Sequence, residues 1–567
     1  MVDFMDYSYL SELLFPDVKT TAEELEAKYP ERNLPDGAVV ARFAPSPTGF
    51  VHFGGFFPVM AGERLTHRSG GVFYLRIEDT DSRREVEGAA DALVRTLSHY
   101  GVEFDEGETA TGEVGAYGPY RQSRRVDIYH VFAKLLVASG RAYPVFSTDE
   151  ELDAINTADK KAEIKSVDWE RDAEARREAM LKQREFTVEY VERELAAGHK
   201  FALYVLADGD GERKIKFTDL VRGALLLPEN DEDFVLLKSD GVPTYHFAHV
   251  VDDHLMRTTH VIRGEEWLPS LPKHLMLFRY LGWRAPKYMH ISQLMKLDPD
   301  GSKKKLSKRD MGANMDDYKR LGYDPAAVTE YVMTLLNSNY EEWRAQNRDK
   351  SYRDFPFSVK KMSVSGCLFD IKKLDDVSRE VVSRMSSDYI YGALTEWAGE
   401  YRPDFASLLS GDENFAKAII SIGRGGKKPR KDYGTWVELV DFMSMFYDET
   451  FRVSDKYPEG TDTGDVISVI DAFIDSYDEG DDMNAWFEKI KKIGAPLGYC
   501  PDMKEYRANS DAYKGSVADV SMMLRVAVTG RLNSPDLYTF MHIIEKNAVI
   551  SRLSSMKAAI SSVNPEV

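Results

Sequence analysis

Apolar positions near the start of the chain fall into short runs of strand length, separated by a stretch with helical spacing. A run at residues 39–43 predicts a β-strand, and residues 44–49 are rich in proline and glycine and predict a loop. A helix is expected from about Gly54, and a second strand at residues 72–77. Strand, helix and strand at this spacing predict a parallel α/β sheet.

The same pattern returns later, after a stretch of different character. Residues 234–237 and 259–263 again read as strands of an α/β sheet, whereas the stretch before them contains a charged helical block at 168–184 and a short strand at 201–206. One sheet interrupted by an inserted domain explains this order. From about residue 320 onward, apolar residues recur mostly at helical spacing, which predicts an all-helical region.

Composition favours a cytoplasmic enzyme built from several units. The 567 residues exceed what one core accommodates, and 43% hydrophobic with 30% charged residues is typical of soluble globular proteins. We expect no membrane partner, because no run approaches the roughly 20 apolar residues that span a bilayer. The first 37 residues contain nine acidic and three basic side chains, which argues against a secretory signal or a transit peptide. The cysteines, Cys367 and Cys500, are too few for a disulfide framework or a cysteine-based zinc site.

The net charge of −20 argues against generic binding of nucleic acid, which needs a positive surface. Any RNA partner would have to dock on local basic tracks, while the remaining acidic surface repels wrong contacts.

A histidine–glycine motif follows the first predicted strand. His52 precedes Gly54 and Gly55 at a strand-to-helix turn. Glycines allow the backbone to approach a nucleotide, and a helix N-terminus presents N–H groups to phosphates. The histidine can donate a hydrogen bond to phosphate oxygens. Taken alone, the motif is equally compatible with a tight turn that has an incidental histidine.

A basic run lies about 250 residues further on. Residues 303–309 read Lys-Lys-Lys-Leu-Ser-Lys-Arg and follow a loop of proline, aspartate and glycine at 298–301. Several ammonium groups on a mobile loop can neutralise a leaving pyrophosphate, although a solvated basic loop is the alternative. No P-loop of the form GxxxxGK[ST] is present, so any phosphate handling must use these two motifs.

The two motifs, in this order, resemble the HIGH and KMSKS signatures of class I aminoacyl-tRNA synthetases. The surrounding residues are similar to the glutamyl-tRNA synthetase family, and the similarity extends over about residues 40–553. The matching segments are RFAPSPTG at 42–49, RIEDTD at 76–81, GPYRQS at 118–123, PTYHFA at 243–248, VDDHLM at 251–256, VIRGEEW at 261–267 and LRVAVTGR at 524–531. The glutaminyl relative would carry a Pro-Glu-Pro-Asn-Gly type of loop at residues 45–49.

This resemblance implies an α/β Rossmann-like catalytic domain with an inserted α+β acceptor-binding domain, followed by an all-α anticodon-binding region. The implied division is an N-terminal extension (1–37), the catalytic domain (38–125 and 235–296), the inserted acceptor-stem domain (126–234), the KMSKS loop and stem-contact region (297–365) and the helical anticodon-binding region (366–567).

The resemblance also implies an activity. L-glutamate would be activated with ATP and transferred to the 2′-hydroxyl of the terminal adenosine of tRNA(Glu), with tRNA needed for activation. Mg²⁺ is expected on the triphosphate, and a monomer is expected. Many members carry a zinc site in the insertion, but residues 143–147 have no cysteine here, so no zinc is predicted.

The resemblance assigns glutamate-binding residues. Read singly, each arginine among them is also compatible with a structural ion pair. His249 stands where asparagine is expected in relatives, and its charge would vary near neutral pH. The implied set is Arg42 and Arg263 for the carboxylates, Glu78 for the α-ammonium, and Ser46, Tyr245 and His249 as hydrogen-bond partners.

A second set is implied for ATP, of which His52, Lys305 and Lys308 would be catalytic. A tryptophan in this set would lie near the adenosine, with packing in the core as the alternative. The residues are Ala44, His52, Gly54, Gly55, Glu266, Trp267, Lys305, Leu306, Ser307 and Lys308.

A glycine-containing basic stretch at 424–433 is the candidate tRNA contact. Its cations can bind phosphates and its tyrosine can stack on an anticodon base, although a solvated loop between helices is the rival interpretation. The predicted contacts are Lys427, Lys428, Arg430, Lys431 and Tyr433. Two other functions stay open, a glutamyl transferase acting on a modified tRNA base and a catalytically silent tRNA-binding paralogue. The transferase would lack the helical C-terminal region.

Overall fold

The computed structural model describes residues 5–47, 49–81, 86–109, 111–146, 181–298, 300–306, 313–426 and 428–563. The chain forms two compact units. Unit 1 comprises Met1–Tyr318 and Val328–Ile371, and unit 2 comprises Lys319–Ala327 and Lys372–Val567. None of the described helices combines the length and the apolar character that a bilayer crossing requires.

The described strands occur mostly in the first 370 residues. They are β1 Val40–Phe43, β2 Val72–Leu75, β3 Glu106–Thr109, β4 Gly112–Val114, β5 Ala142–Phe146, β6 Phe201–Val205, β7 Lys214–Asp219, β8 Gly223–Pro228, β9 Phe234–Leu237, β10 His260–Gly264, β11 Lys287–Ile291, β12 Leu294–Leu297, β13 Lys303–Lys305, β14 Cys367–Leu368, β15 Tyr499–Cys500 and β16 Gly515–Ser516.

The described helices extend over both units. They are α1 Tyr7–Leu14, α2 Ala22–Lys28, α3 Phe53–Arg68, α4 Ala89–His99, α5 Val126–Ala138, α6 Val188–Ala196, α7 Tyr245–Leu255, α8 Leu271–Tyr280, α9 Met315–Arg320, α10 Pro325–Leu336, α11 Tyr340–Gln346, α12 Ile371–Arg384, α13 Ser387–Tyr401, α14 Pro403–Gly411, α15 Glu413–Ile420, α16 Trp436–Ser444, α17 Thr463–Ser476, α18 Met483–Gly494, α19 Met503–Ala508, α20 Val517–Thr529 and α21 Leu537–Val563, which is interrupted at Glu545.

A parallel sheet forms the centre of unit 1. β1 pairs with β2, β2 pairs with β3, and β10 pairs with β11, all in parallel. A hydrogen bond of 2.9 Å from Thr259 N to Val40 O sets the start of β10 beside β1. The resulting order β3-β2-β1-β10-β11 reverses between β1 and β10, and ligands of such sheets bind where the order reverses, outside the carboxyl ends of the strands. The predicted α/β sheet is confirmed.

The segment between the two halves of this sheet has its own strands. β5, β6 and β9 form an antiparallel sheet, and β7 and β8 form a hairpin. The prediction that residues 234–237 resume the parallel sheet is wrong, because β9 pairs with β6. An apolar run indicates a buried strand but not its partner. Most of the charged block predicted at 168–184 lies outside the described residues.

The N-terminal extension is part of unit 1 and packs there through two helices. Thr21 caps α2 with Glu24 in a capping box. The apolar side chains of the extension are buried together with those of α5 and α7. They are Leu10, Leu14, Phe15, Leu25 and Tyr29. Arg32 makes a bidentate ion pair with Glu106, at 2.8 and 2.9 Å.

Unit 2 is built from helices around one apolar core, as its periodicity predicted. The exceptions among its described residues are the short strands β15 and β16, which pair in parallel. The core includes Trp397, Trp436, Phe446, Phe473, Leu524 and Phe540.

Candidate active site

A cavity of about 540 Å³ opens at the carboxyl ends of β1 and β10, where the strand order reverses. Its size lies in the range of small-molecule sites. Most of the residues predicted to bind glutamate and ATP line this cavity. They are Arg42, Ala44, His52, Gly54, Gly55, Glu78, Tyr245, Arg263, Glu266, Trp267, Lys305 and Leu306.

His52 is the N-cap of α3. Its Nδ1 accepts a hydrogen bond of 2.9 Å from Gly54 N, so a neutral ring carries its proton on Nε2. A Cβ at Gly54 would lie 2.9 Å from that Nδ1, which explains the glycine there. Gly55, by contrast, faces open space and lines the cavity. The turn therefore presents a donor and the start of a helix to a ligand.

The histidine turn and the lysine segment meet at this cavity. Phe53 N donates to Ala313 O at 2.8 Å and Met315 N donates to Val51 O at 3.0 Å, which pairs His52 with Asn314 as an antiparallel bridge. Earlier in the same part of the chain, Lys305 and Leu306 line the cavity that His52 also lines.

The lysines themselves lie partly in a strand. The prediction of a mobile loop is wrong for residues 303–305, because they form β13 against β12. The sequence did not predict this strand, because three consecutive lysines lack the alternation of apolar and polar residues that indicates one. Ser307 and Lys308 lie outside the described residues.

A network of buried charges joins β1 to α7. Arg42 Nε lies 3.1 Å from Asp253 Oδ1, and Arg76 Nη1 lies 2.6 Å from the same oxygen. Arg76 also donates to Glu78 at 3.1 Å. Arg42 therefore shares the charge of Asp253 and keeps only part of its own for a ligand.

The two carboxyl groups of this network are held differently. Burial alone would raise the pKa of Asp253, but Arg42 and Arg76 outweigh it and the pKa is lowered. The pKa of Glu78 is raised by burial, which Arg76 and Arg42 offset only in part. A cation bound beside Glu78 would relieve that burial cost, as expected of a site for an ammonium group.

Arg263 has a different set of neighbours from Arg42. Its Nε donates to His290 at 3.0 Å, its Nη1 lies 3.2 Å from Tyr245 Oη and 3.4 Å from His274 Nδ1, and its Nη2 donates to Trp267 O at 3.2 Å. Among the residues that the structure describes, no carboxylate forms an ion pair with it. The positive charge of Arg263 is therefore available to an acidic ligand.

His249 lies behind the cavity wall and is fully buried. Its Nδ1 lies 3.1 Å from Asp253 Oδ2 and 3.3 Å from Arg42 Nη2. Burial, with Arg42 and Arg263 nearby, lowers its pKa well below the usual value. The prediction that its charge varies near neutral pH is wrong, because two guanidinium groups in a dry site disfavour a third cation.

Acid should destabilise the fold through His246, whose Nδ1 lies 3.0 Å from His274 Nε2. Burial, Lys273 and Arg263 lower the pKa of His246 to about 4, and the unfolded chain binds its proton near pH 6.5. Stability is therefore lost as the pH falls below about 6.5, by about 1.5 kcal/mol for His246 alone between pH 6.5 and 5. Unfolding free energies across this range should show the loss, and His246→Gln should reduce it. The same loss in that variant would contradict the assignment, and exposed His199→Gln is the control.

Other predicted residues have mixed outcomes. Ser46 is exposed and is not among the residues that line the cavity. Trp267 is 39% exposed with its ring centroid 4.6 Å from that of Tyr245, so it does not belong to the core. Sequence reasoning missed Gln293, which lines the cavity and donates to Glu266 at 3.3 Å, because no motif includes it.

The basic stretch of unit 2 is only partly available to a ligand. Lys428 is exposed, Arg430 pairs with Asp432, and Lys431 pairs with Glu380. Tyr433 is 7% exposed, so the prediction that it stacks on a base does not fit the structure. Its hydroxyl accepts from Arg424 at 2.8 Å, and its ring fills the core. Lys427 lies outside the described residues.

Comparisons with known proteins agree with this geometry. The family described as tRNA synthetases class I (E and Q), catalytic domain, matches residues 38–376, and an anticodon binding domain matches residues 505–557. A glutamate–tRNA ligase of Acetivibrio thermocellus is 45% identical over 97% of this chain and 100% of its own. One from Clostridium perfringens is 43% identical, again over 97% and 100%.

A solved structure is also similar. The crystal structure of a glutamate tRNA ligase from Elizabethkingia meningosepticum, in complex with its amino acid, has a TM-score of 0.71 and 27% identity. The match covers 92% of this chain and 99% of that one.

Proposed function

Because the chain belongs to the glutamate–tRNA ligases, which are class I tRNA synthetases, we propose that its cavity binds glutamate and ATP side by side. The activity is activation of L-glutamate with ATP and transfer of the glutamyl group to tRNA. The observation that carries the proposal is the meeting of His52 and Lys305 in one cavity at the reversal of the strand order. An anticodon-binding domain at residues 505–557 counts against the transferase that modifies a tRNA base.

Arg263 takes the side-chain carboxylate of glutamate. Its neighbours leave one N–H of Nη2 without an acceptor among the described residues, and Tyr245 accepts from Nη1 and so has its own O–H to donate. One guanidinium N–H and one phenol O–H would hold the carboxylate. A guanidinium without a carboxylate partner discriminates strongly against glutamine, whose amide brings no charge.

Arg42 and Glu78 orient the other end of glutamate. Arg42 directs the α-carboxylate toward ATP. Asp253 neutralises part of the charge of Arg42 and so weakens its hold on the α-carboxylate, which suits a group that is converted to an ester and released. Glu78 holds the α-ammonium, and its ionised form is required for that ion pair. Both residues line the cavity near the end of β1.

The first chemical step is attack of an α-carboxylate oxygen on the α-phosphorus, which forms the glutamyl adenylate and expels pyrophosphate. His52 Nε2–H and the ammonium of Lys305 stabilise the charge that develops on the phosphates, with Lys308 as a further predicted contributor. In the second step a hydroxyl of the terminal adenosine attacks the acyl carbon and AMP leaves. Positioning and electrostatics supply the rate.

Mg²⁺ bound to the triphosphate would neutralise part of its charge. Glu78 and Glu266 are the carboxylates among the described residues that line the cavity. The oxygen ligands of the ion would therefore come mostly from the phosphates and water, which is usual for Mg²⁺.

The inserted segment 126–234 would contact the acceptor end, and unit 2 would contact the anticodon arm. Lys428, Arg430 and Lys431 are the proposed phosphate contacts of unit 2. Their position in one basic stretch of an acidic chain supports this role.

Replacing Lys428, Arg430 and Lys431 with alanine should weaken tRNA binding and reduce its salt dependence. Each lost phosphate contact should lower the slope of log K against log salt by about 0.7–0.9. Binding of tRNA(Glu) measured from low to high salt tests this. Lys557→Ala, which removes a cation paired with Asp471, is the control. An unchanged slope in the triple variant would remove the stretch from the interface.

Glutamate-dependent exchange of pyrophosphate into ATP, measured with and without tRNA, tests the activity. Exchange that needs tRNA is the expected result, and its complete absence would favour a silent tRNA-binding paralogue. Charging of purified glutamate and glutamine tRNAs then identifies the tRNA substrates.

A further inference from the structure

A buried carboxylate of the inserted segment is linked to Arg263 through a single side chain. Asp219 ends β7 and is 1% exposed. Its Oδ1 accepts from Val221 N and Arg222 N, both at 2.9 Å, which fixes the turn of the β7–β8 hairpin. Its Oδ2 accepts from His290 N at 3.1 Å and lies 2.7 Å from His290 Nδ1. Asp219 therefore joins the hairpin to β11.

His290 links this carboxylate to Arg263. The two residues are register partners on β11 and β10, and His290 is fully buried. Arg263 Nε lies 3.0 Å from His290 Nε2. A guanidinium only donates, so Nε2 must accept, and the ring proton must lie on Nδ1, where it points at Asp219. Geometry therefore fixes which atoms donate and which accept in the hydrogen bonds that join Asp219, His290 and Arg263.

We propose that Asp219 and His290 are positioning residues that orient Arg263 for the side-chain carboxylate of glutamate. This inference rests on the role proposed above for Arg263. Asp219 acts through His290, which selects the Nδ1–H tautomer and aligns the acceptor with Arg263 Nε.

Separating the Asp219 carboxylate from the Arg263 guanidinium by the imidazole of His290 has a chemical advantage. A carboxylate bonded directly to Arg263 would compete with the carboxylate of the substrate. A neutral imidazole holds the guanidinium without neutralising it, while Asp219 still favours the cation from a distance. Burial and Arg263 lower the pKa of His290 despite Asp219, in agreement with a neutral ring.

The proposal also gives the inserted segment a second role. The turn that contains Asp219 also contains Arg222, which contacts Glu265 and lies 3.2 Å from Ser292 Oγ. Ser292 lines the cavity beside Gln293. One hairpin turn thus supports the cavity wall at two places.

Asp219→Asn should raise the KM for glutamate by roughly 10- to 100-fold and leave the KM for ATP within about two-fold. The asparagine oxygen can keep the bonds to Val221 and Arg222, but its NH₂ would face Nδ1 and move the ring proton to Nε2. Two donors would then oppose each other at Arg263 Nε, as when the wrong tautomer is imposed on a catalytic histidine. Asp210→Asn, an exposed aspartate at the far end of the hairpin, is the matched control.

Two substitutions of His290 separate the links. His290→Gln places an amide near the position of Nε2 and keeps an acceptor for Arg263. His290→Asn places one near Nδ1 and keeps only a partner for Asp219. We expect the larger rise in the glutamate KM from His290→Asn. Adding Asp219→Asn to His290→Gln should have little further effect, because Asp219 acts through the imidazole.

Steady-state aminoacylation with varied glutamate and varied ATP measures these effects. A glutamate KM in Asp219→Asn within two-fold of the unmodified enzyme, equal rises in both KM values, or additive effects in the double variant would each overturn the proposal. Arg263→Ala is measured beside them. If it leaves the glutamate KM unchanged, the role of Arg263 itself fails, which is a different outcome from failure of Asp219 and His290 alone.

Discussion

Arg263→Ala should lower kcat/KM for glutamate by roughly 10²- to 10³-fold, mostly through KM. The side-chain carboxylate of bound glutamate would then enter a buried pocket without its charge partner, which costs about 3–4 kcal/mol. Arg263→Lys should recover only part of the loss, because an ammonium cannot meet His290, Tyr245 and Trp267 O in the same plane.

The same variant should lose discrimination between substrates. The ratio of kcat/KM for glutamate to that for glutamine should fall, because glutamine never used the charge. The KM for ATP is the internal control, and Arg279→Ala, an exposed arginine that pairs with Asp208, is the matched surface control. A preserved preference for glutamate in Arg263→Ala would assign the carboxylate to another cation.

His52→Asn should lower kcat by about 10²-fold while thermal stability changes little. Asparagine is a good N-cap, so its oxygen can replace Nδ1 as acceptor for Gly54 N and preserve the start of α3. It cannot replace Nε2–H, and loss of one donor to developing charge typically costs 10²–10³ in kcat. Glutamate-dependent pyrophosphate exchange at saturating substrates measures the effect on the first step.

His52→Ala separates the two roles of this residue. It removes both the cap and the donor, so it should lose stability, by about 1 kcal/mol, as well as activity. Surface His199→Asn should change neither. Full exchange activity in His52→Asn would restrict His52 to capping the helix.

The sequence contained enough to place the sheet and most of the site. Strand-length runs, glycine-rich turns, the histidine–glycine motif and the basic run are local features, so β1, α3 and β10 follow from residues close together in the chain. Partners distant in sequence did not follow. β9 reads like the other buried strands, and only tertiary pairing with β6 decides which sheet it joins.

Burial explains two further errors. Tyr433 and His249 were assigned roles that need exposure or titration, but aromatic rings and imidazoles are common both in cores and at surfaces. The hydrogen-bond network of Asp219, His290 and Arg263 joins three strands that no single sequence motif contains. Such networks depend on pairing registers, which periodicity does not encode.

The way the first helices are seated has a practical consequence for handling the protein. Leu10, Leu14, Phe15, Leu25 and Tyr29 belong to the same buried apolar cluster as side chains of α5 and α7, including Phe132 and Leu255. Deleting residues 1–37 to obtain a smaller catalytic fragment would expose this apolar surface to solvent, and the fragment would aggregate. Purification handles and immobilisation points therefore belong ahead of α1, with the helices left intact.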